Sequence, residues 1–128
     1  MKVVRILLVD AEEEIRRLLT RRLTRRGYAV TTVSDGSQAL AMLEQGSFHL
    51  AILDYMMPGM NGLELAVQCR LRYPSLKILI LTGSPIITEI ETQGYLCLRK
   101  PLESLEELDQ AIERFLAPEV TEPLEGGG

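Results

Sequence analysis

Five times along this chain a short apolar run gives way to a stretch of helical periodicity, and that alternation restricts the fold more than any other feature. The runs cover residues 4–9, 28–33, 48–53, 77–81 and 95–98. The stretches after them carry apolar residues at helical spacing: Ile15, Leu18, Leu19 and Leu23; Ala39, Leu40 and Leu43; Leu63, Leu65, Ala66 and Cys69; a short segment at 85–93; and Leu105, Leu108, Ile112 and Phe115. Strands that alternate with helices require a parallel sheet covered on both faces. Right-handed crossovers then leave only a few topologies. The expected class is α/β, a βα unit repeated five times.

Local signals mark the boundaries. Glu12, Glu13 and Glu14 suit a helix start, where acids meet the positive end of the dipole. Gly27 and Gly46 are stops. Ser37 is the expected cap of the second helix, and Ser84-Pro85 reads as N-cap and first helical position of the fourth. The third helix ends before Pro74, and the last runs over 103–116. Residues 1–117 form the expected domain. The stretch 118–128, with two prolines, three acids and a closing triple glycine, reads as a disordered tail or the stump of a linker.

The 128 residues suffice for one domain with a real core. A net charge of -4 argues against nonspecific nucleic-acid binding. The arginines at 16, 17, 21, 22, 25 and 26 read as a solvated helix face, as do the acids of the last helix, among them Glu103, Glu106, Glu107, Asp109 and Glu113. Cys69 and Cys97 form no metal-ligand or redox pair, and the apolar start is too short for a secretory signal, so a cytoplasmic location with reduced thiols is expected. No stretch approaches the roughly 20 apolar residues of a membrane helix. The lone histidine, His49, reads as structural, and Met42, Met56, Met57 and Met60 as packing and loop residues.

Parallel strands bring their carboxyl ends to one edge, where open α/β sheets bind ligands. The residues there are Asp10, Asp54, Thr82 and Lys100. Two crowded carboxylates repel, and a hard divalent cation relieves that; Mg2+ suits oxygen ligands beside a phosphate. Lys100 offers a point charge for a phosphoryl group, Thr82 a hydroxyl, and Asp54 a nucleophile able to form an acyl phosphate. Gly83 leaves room for the group to enter. Asp54 alone also fits a plain turn residue.

The motifs Ile6-Leu7-Leu8-Val9-Asp10, Asp54-Tyr55-Met56-Met57-Pro58-Gly59-Met60-Asn61-Gly62, Leu81-Thr82-Gly83 and Lys100-Pro101 stand in order. Over about residues 3–116 the chain resembles a response regulator receiver domain of two-component signalling. The resemblance implies a flavodoxin-like three-layer sandwich of strand order 2-1-3-4-5. It implies that Asp54 accepts a phosphoryl group from a histidine kinase or phosphotransfer protein, that Thr82 and Lys100 bind that group, and that Lys100-Pro101 is cis. By the same resemblance Mg2+ is held by Asp10, Asp54 and the backbone carbonyl of Met56, and the 85–116 face meets an output domain or a second copy. Such a module is a switch rather than an enzyme.

Two departures stand out. The family usually has two adjacent acids after the first strand, and here the second is Ala11. Glu12 is longer and one residue further on; it either reaches the metal or only begins the helix. The interval between Thr82 and Lys100 is shorter than usual, and Cys97 stands where relatives commonly place a switch aromatic, with Tyr95 on the same side of the strand. These features support an alternative: a pseudo-receiver that serves as a protein-binding scaffold with weak or no Mg2+-dependent phosphorylation.

Overall fold

The computed structural model describes residues 3–83, 85–102 and 104–117. Its elements alternate as the apolar runs require: β1 (Arg5–Val9), α1 (Glu13–Arg25), β2 (Ala29–Val33), α2 (Gly36–Gln45), β3 (Leu50–Asp54), α3 (Gly62–Arg72), β4 (Lys77–Thr82), α4 (Ile87–Thr92), β5 (Leu96–Arg99) and α5 (Leu105–Leu116). The sheet order is β2-β1-β3-β4-β5, with every pair parallel. This is the flavodoxin-like arrangement.

Successive side chains of a strand point to opposite faces, so the continuous apolar runs feed two cores. On one side Leu7, Val9, Ala51, Leu53, Ile78 and Ile80 pack under α2, α3 and α4. On the other, Ile6, Leu8, Leu50, Ile52, Leu79 and Leu81 pack under α1 and α5. The register pairs Val9 with Leu53, Asp54 with Leu81 and Thr82 with Arg99, which sets the carboxyl ends of β1, β3, β4 and β5 side by side. Among the described residues no helix is long and apolar enough to cross a membrane.

Several boundaries differ from the expected ones. The cap of α2 is Asp35, not Ser37: its carboxylate accepts from the Gln38 N–H at 2.9 Å and leaves Ser37 exposed inside the helix. The fourth helix starts at Ile87, after Ile86 as an N-cap without a side-chain hydrogen bond; Ser84, its expected cap, lies outside the described residues. Tyr28 and Tyr95 precede their strands because their N–H groups bond to the Leu23 and Ile90 carbonyls and close the preceding helices. His49 stops short of β3, and its Nδ1 accepts from the Arg5 N–H at 3.0 Å, a structural role. Glu103 and the stretch 118–128 lie outside the described residues.

Two side-chain expectations change more. Leu18 does not join the α1 stripe in the core: it is 47% exposed, whereas Leu19 and Leu23 are buried. Nor is Asp109 on a solvated face. It is buried in the α1–α5 seam, where Arg22 donates to it through Nε at 3.1 Å and Nη2 at 2.5 Å, and Arg26 lies 3.4 Å away. Arg26 also pairs with Glu113. The α1 arginines thus clamp α5 in parallel beside α1, a pairing invisible to either helix alone.

Candidate functional site

At the carboxyl edge of the sheet Asp10, Asp54 and Thr82 are all buried, with Asp54 only 4% exposed. The Lys100 ammonium enters between the carboxylates, 3.0 Å from Asp10 Oδ2 and 3.4 Å from Asp54 Oδ1. Glu12 Oε1, on an exposed side chain, lies 3.9 Å from the same nitrogen. Backbone groups complete the setting: the Glu12 N–H donates to Asp10 Oδ1 at 2.9 Å, and the Ala11 and Met56 N–H groups reach Asp54 at 3.4 and 3.3 Å. Lys100 is placed by its backbone, whose N–H donates to the Thr82 carbonyl at 2.9 Å. The Lys100-Pro101 bond is cis, as the resemblance implied.

The loop after Asp54 is held tightly. The Gly62 N–H donates to the Tyr55 carbonyl at 2.9 Å, and Asn61 and Glu64 form a reciprocal capping box at the start of α3. A Cβ on Gly62 would sit 2.8 Å from Tyr55 Cα and closer still to the Asp54 carbonyl oxygen, so only glycine lets the loop return this near to β3. Gly83 has a similar use: a Cβ there would lie 3.2 Å from the Lys100 carbonyl oxygen. The mouth above Asp54, about 380 Å³, is bordered by Glu12, Ile15, Met56, Gly83, Lys100 and Pro101.

Burial, then the charge of Asp10, raises the Asp54 carboxyl above its ordinary range, against the opposing pull of Lys100 and the two N–H groups. For Lys100, burial acts to lower the ammonium, but the hydrogen bond and charge of Asp10, with Asp54 and Glu12, outweigh it and raise it. A positive charge beside a buried carboxylate favours its ionised form. The donor set fits Mg2+: hard carboxylate oxygens, and few of them. Among the described residues no group of three or more His, Cys, Asp or Glu side chains could hold a metal by itself, and Mg2+ commonly completes its shell with waters.

The structure therefore brings Asp10, Asp54 and Lys100 together, with Thr82 buried at the end of β4 and Glu12 at the rim. One contributor was missed in sequence: Arg16, whose Nη1 donates to the Asp10 carbonyl at 2.7 Å. Only the turn of chain between β1 and α1 sets that contact, and no residue pattern announces it. Tyr95 and Cys97 share the same core, and the Arg70 guanidinium stacks on the Tyr95 ring at 3.9 Å from its centroid.

The family model for the response regulator receiver domain matches residues 6–113. The chain is 35% identical over 119 residues to the transcriptional regulatory protein TctD of Salmonella typhimurium, covering 88% of this chain and 52% of that protein. It is 37% identical over 86 residues to the transcriptional regulatory protein TcrA of Mycobacterium tuberculosis, covering 67% of this chain and 34% of that protein. It thus spans between a third and about half of the length of these relatives. The response regulator TrrA of Thermotoga maritima, solved in complex with Mg(2+)-BeF, superposes with a TM-score of 0.81 at 32% identity, over 89% of this chain and 100% of that one. TrrA has also been solved in complex with the histidine kinase ThkA; that copy is 33% identical, with a TM-score of 0.81 over 90% of this chain and 100% of its own. Because the match over 6–113 takes in Asp10, Asp54, Thr82 and Lys100 together, the chain belongs to the response regulator receiver family.

Proposed function

We propose that Asp54 is a phosphoacceptor, loaded from the phosphohistidine of a kinase or phosphotransfer protein. The observation that carries this reading is the Lys100 ammonium set between Asp10 and Asp54, at 3.0 and 3.4 Å, in a mouth open above Asp54. A carboxylate oxygen of Asp54 attacks phosphorus; the phosphorus–nitrogen bond to the donor imidazole breaks, its electron pair stays on nitrogen, and the imidazole takes up a proton as needed from solvent. Lys100 and the Thr82 hydroxyl receive the transferred oxygens. Mg2+, when bound, offsets the negative charge of the phosphoryl group. Asp10, Asp54 and the Met56 backbone carbonyl would hold it, with Glu12 or water in the place of the second acid that Ala11 lacks. The acyl phosphate then biases two arrangements of the Thr82–Lys100 region, and the 85–116 face presents the change to an output domain or second copy.

Ala11 and the six-residue α4 favour the second reading, a pseudo-receiver scaffold. Incubation with acetyl phosphate and Mg2+, followed by intact mass measurement, separates the two. A single added phosphoryl group, absent in Asp54→Asn, is the expected result; no adduct on the wild-type chain supports the scaffold.

A further inference from the structure

The two ends of α4 are held unequally. At its start Ile86 caps the helix with no side-chain hydrogen bond. Its carboxyl end is closed several times over. The Gln93 and Tyr95 N–H groups donate to the Ile90 carbonyl at 3.2 and 3.4 Å, and the Gly94 N–H donates to the Glu91 carbonyl at 2.9 Å. Ile90 is fully buried and Tyr95 nearly so. Gly94, with φ of 91°, turns the chain out of the helix and straight into β5.

Arg70 joins this turn from α3, 23 residues before Gln93. Its Nη1 donates to the Gln93 carbonyl at 3.1 Å, and its Nη2 lies 3.4 Å from the Gly94 carbonyl oxygen. The same guanidinium lies over the Tyr95 ring, 3.9 Å from its centroid. Carbonyls at a helix end lack partners within the helix, and the negative end of the dipole favours a cation. Arg70 also stands in the last turn of α3, so one guanidinium serves the carboxyl ends of two helices. A planar fork can bond two carbonyls while stacked on a ring; a lysine ammonium cannot. Beside the turn a hollow of about 620 Å³, bordered by Arg70, Tyr95 and Phe115, leaves a released turn room to shift.

We infer that Arg70 is a positioning residue of the switch: it pins the α4–β5 turn, so that a change beginning at Thr82 swings the start of α4 about its fixed carboxyl end. This rests on the phosphoacceptor role proposed for Asp54. Thr82 closes β4, so a change at the phosphorylated site enters α4 at its loosely capped start. The pinned end holds Tyr95 and keeps β5 in register with β4, where Leu96 pairs with Leu79 and Cys97 with Ile80. Motion is thereby confined to the first turn of α4 and the loop before it, with the turn at Gly94 as the hinge.

The test is NMR of the full 15N-labelled chain before and after treatment with acetyl phosphate and Mg2+, with intact mass to confirm loading. In the wild-type protein, amide shifts on phosphorylation should be large at Gly83, Ile86 and Ile87 and several-fold smaller from Gln93 to Leu96. In Arg70→Ala they should spread through Gln93 to Leu96. Before phosphorylation the same substitution should speed hydrogen exchange at Gly94 and Tyr95 roughly tenfold, while Leu79 and Ile80 in β4 keep their rates. Tyr95→Phe keeps a ring for the guanidinium and should behave as wild type; Tyr95→Leu should behave as Arg70→Ala. Wild-type shifts from Gln93 to Leu96 as large as those at Ile86 overturn the pivot, because α4 then moves as one body. So does an Arg70→Ala protein that keeps the wild-type pattern. Exchange raised as much at Leu79 and Ile80 as at Gly94 also overturns it, since that marks a loss of overall stability alone. Failure of acetyl phosphate to label the wild-type protein removes the phosphoacceptor reading and the pivot with it; the exchange rates still report whether Arg70 pins the turn, so the two failures are told apart.

Discussion

Lys100 holds Asp10 more closely than it holds Asp54, at 3.0 Å against 3.4 Å. The ammonium therefore occupies the carboxylate that an incoming cation needs. Because like charges compete for the same oxygens, Lys100→Met should tighten Mg2+ binding by about tenfold. Ala11→Asp should tighten it by a similar factor, by supplying a direct carboxylate. Isothermal titration of Mg2+ into each variant measures both. Unchanged affinity in Ala11→Asp means that Glu12 or water already fills the position.

Asp54 is buried with its carboxyl raised, chiefly by burial and then by Asp10. A carboxyl raised in the fold costs stability as pH climbs through the interval above 3.8, since the native state then gives up its proton less readily than the unfolded chain. The wild-type protein bears that cost once the Asp54 carboxyl is ionised. Asp54→Asn should therefore raise the neutral-pH melting temperature by about 3 °C, roughly a 1 kcal/mol gain. The advantage should shrink as pH falls through the raised pKa and vanish below 3.8, where both side chains are neutral. Thermal melts followed by circular dichroism from pH 7 downward test the sign.

Two glycines of one loop should respond differently. Gly62 faces the β3 backbone with no room for a methyl, so Gly62→Ala should cost about 3 kcal/mol. Gly59 has φ of 75° but nothing near its missing Cβ, so Gly59→Ala should cost only about 1 kcal/mol of backbone strain. Urea unfolding of the two variants gives the comparison; equal losses would mean that the close approach at Gly62 relaxes freely.

Asp109 is buried between two arginines of α1. Asp109→Ala should lower the melting temperature by about 5 °C, because two guanidinium groups lose the acceptor that holds α5 to α1. Glu106→Ala, an exposed acid of the same helix, should change it by less than about 1 °C. Differential scanning calorimetry at pH 7 distinguishes them.

The strand runs and rim residues were legible in the sequence because they obey local or topological rules. Apolar runs of four to six residues have few other uses, and parallel crossovers oblige Asp10, Asp54, Thr82 and Lys100 to share one edge. Caps were less legible. Asp35 and Ser37 both suit a helix start, and the choice turned on which side chain met the Gln38 N–H. The α1 stripe misled at Leu18, since helical periodicity names a face but not how far the neighbouring helix extends to cover it.

The order of the elements, the two-sided core and the shared edge of four distant residues thus follow from the residues themselves, through backbone periodicity and the handedness of βα units. Contacts whose geometry depends on several elements at once were decided only in three dimensions. Lys100 prefers Asp10, Arg16 reaches the Asp10 carbonyl, and Asp109 is withdrawn from solvent by Arg22. A long side chain takes its partner from whichever elements pack beside it, and spacing along the chain does not carry that information.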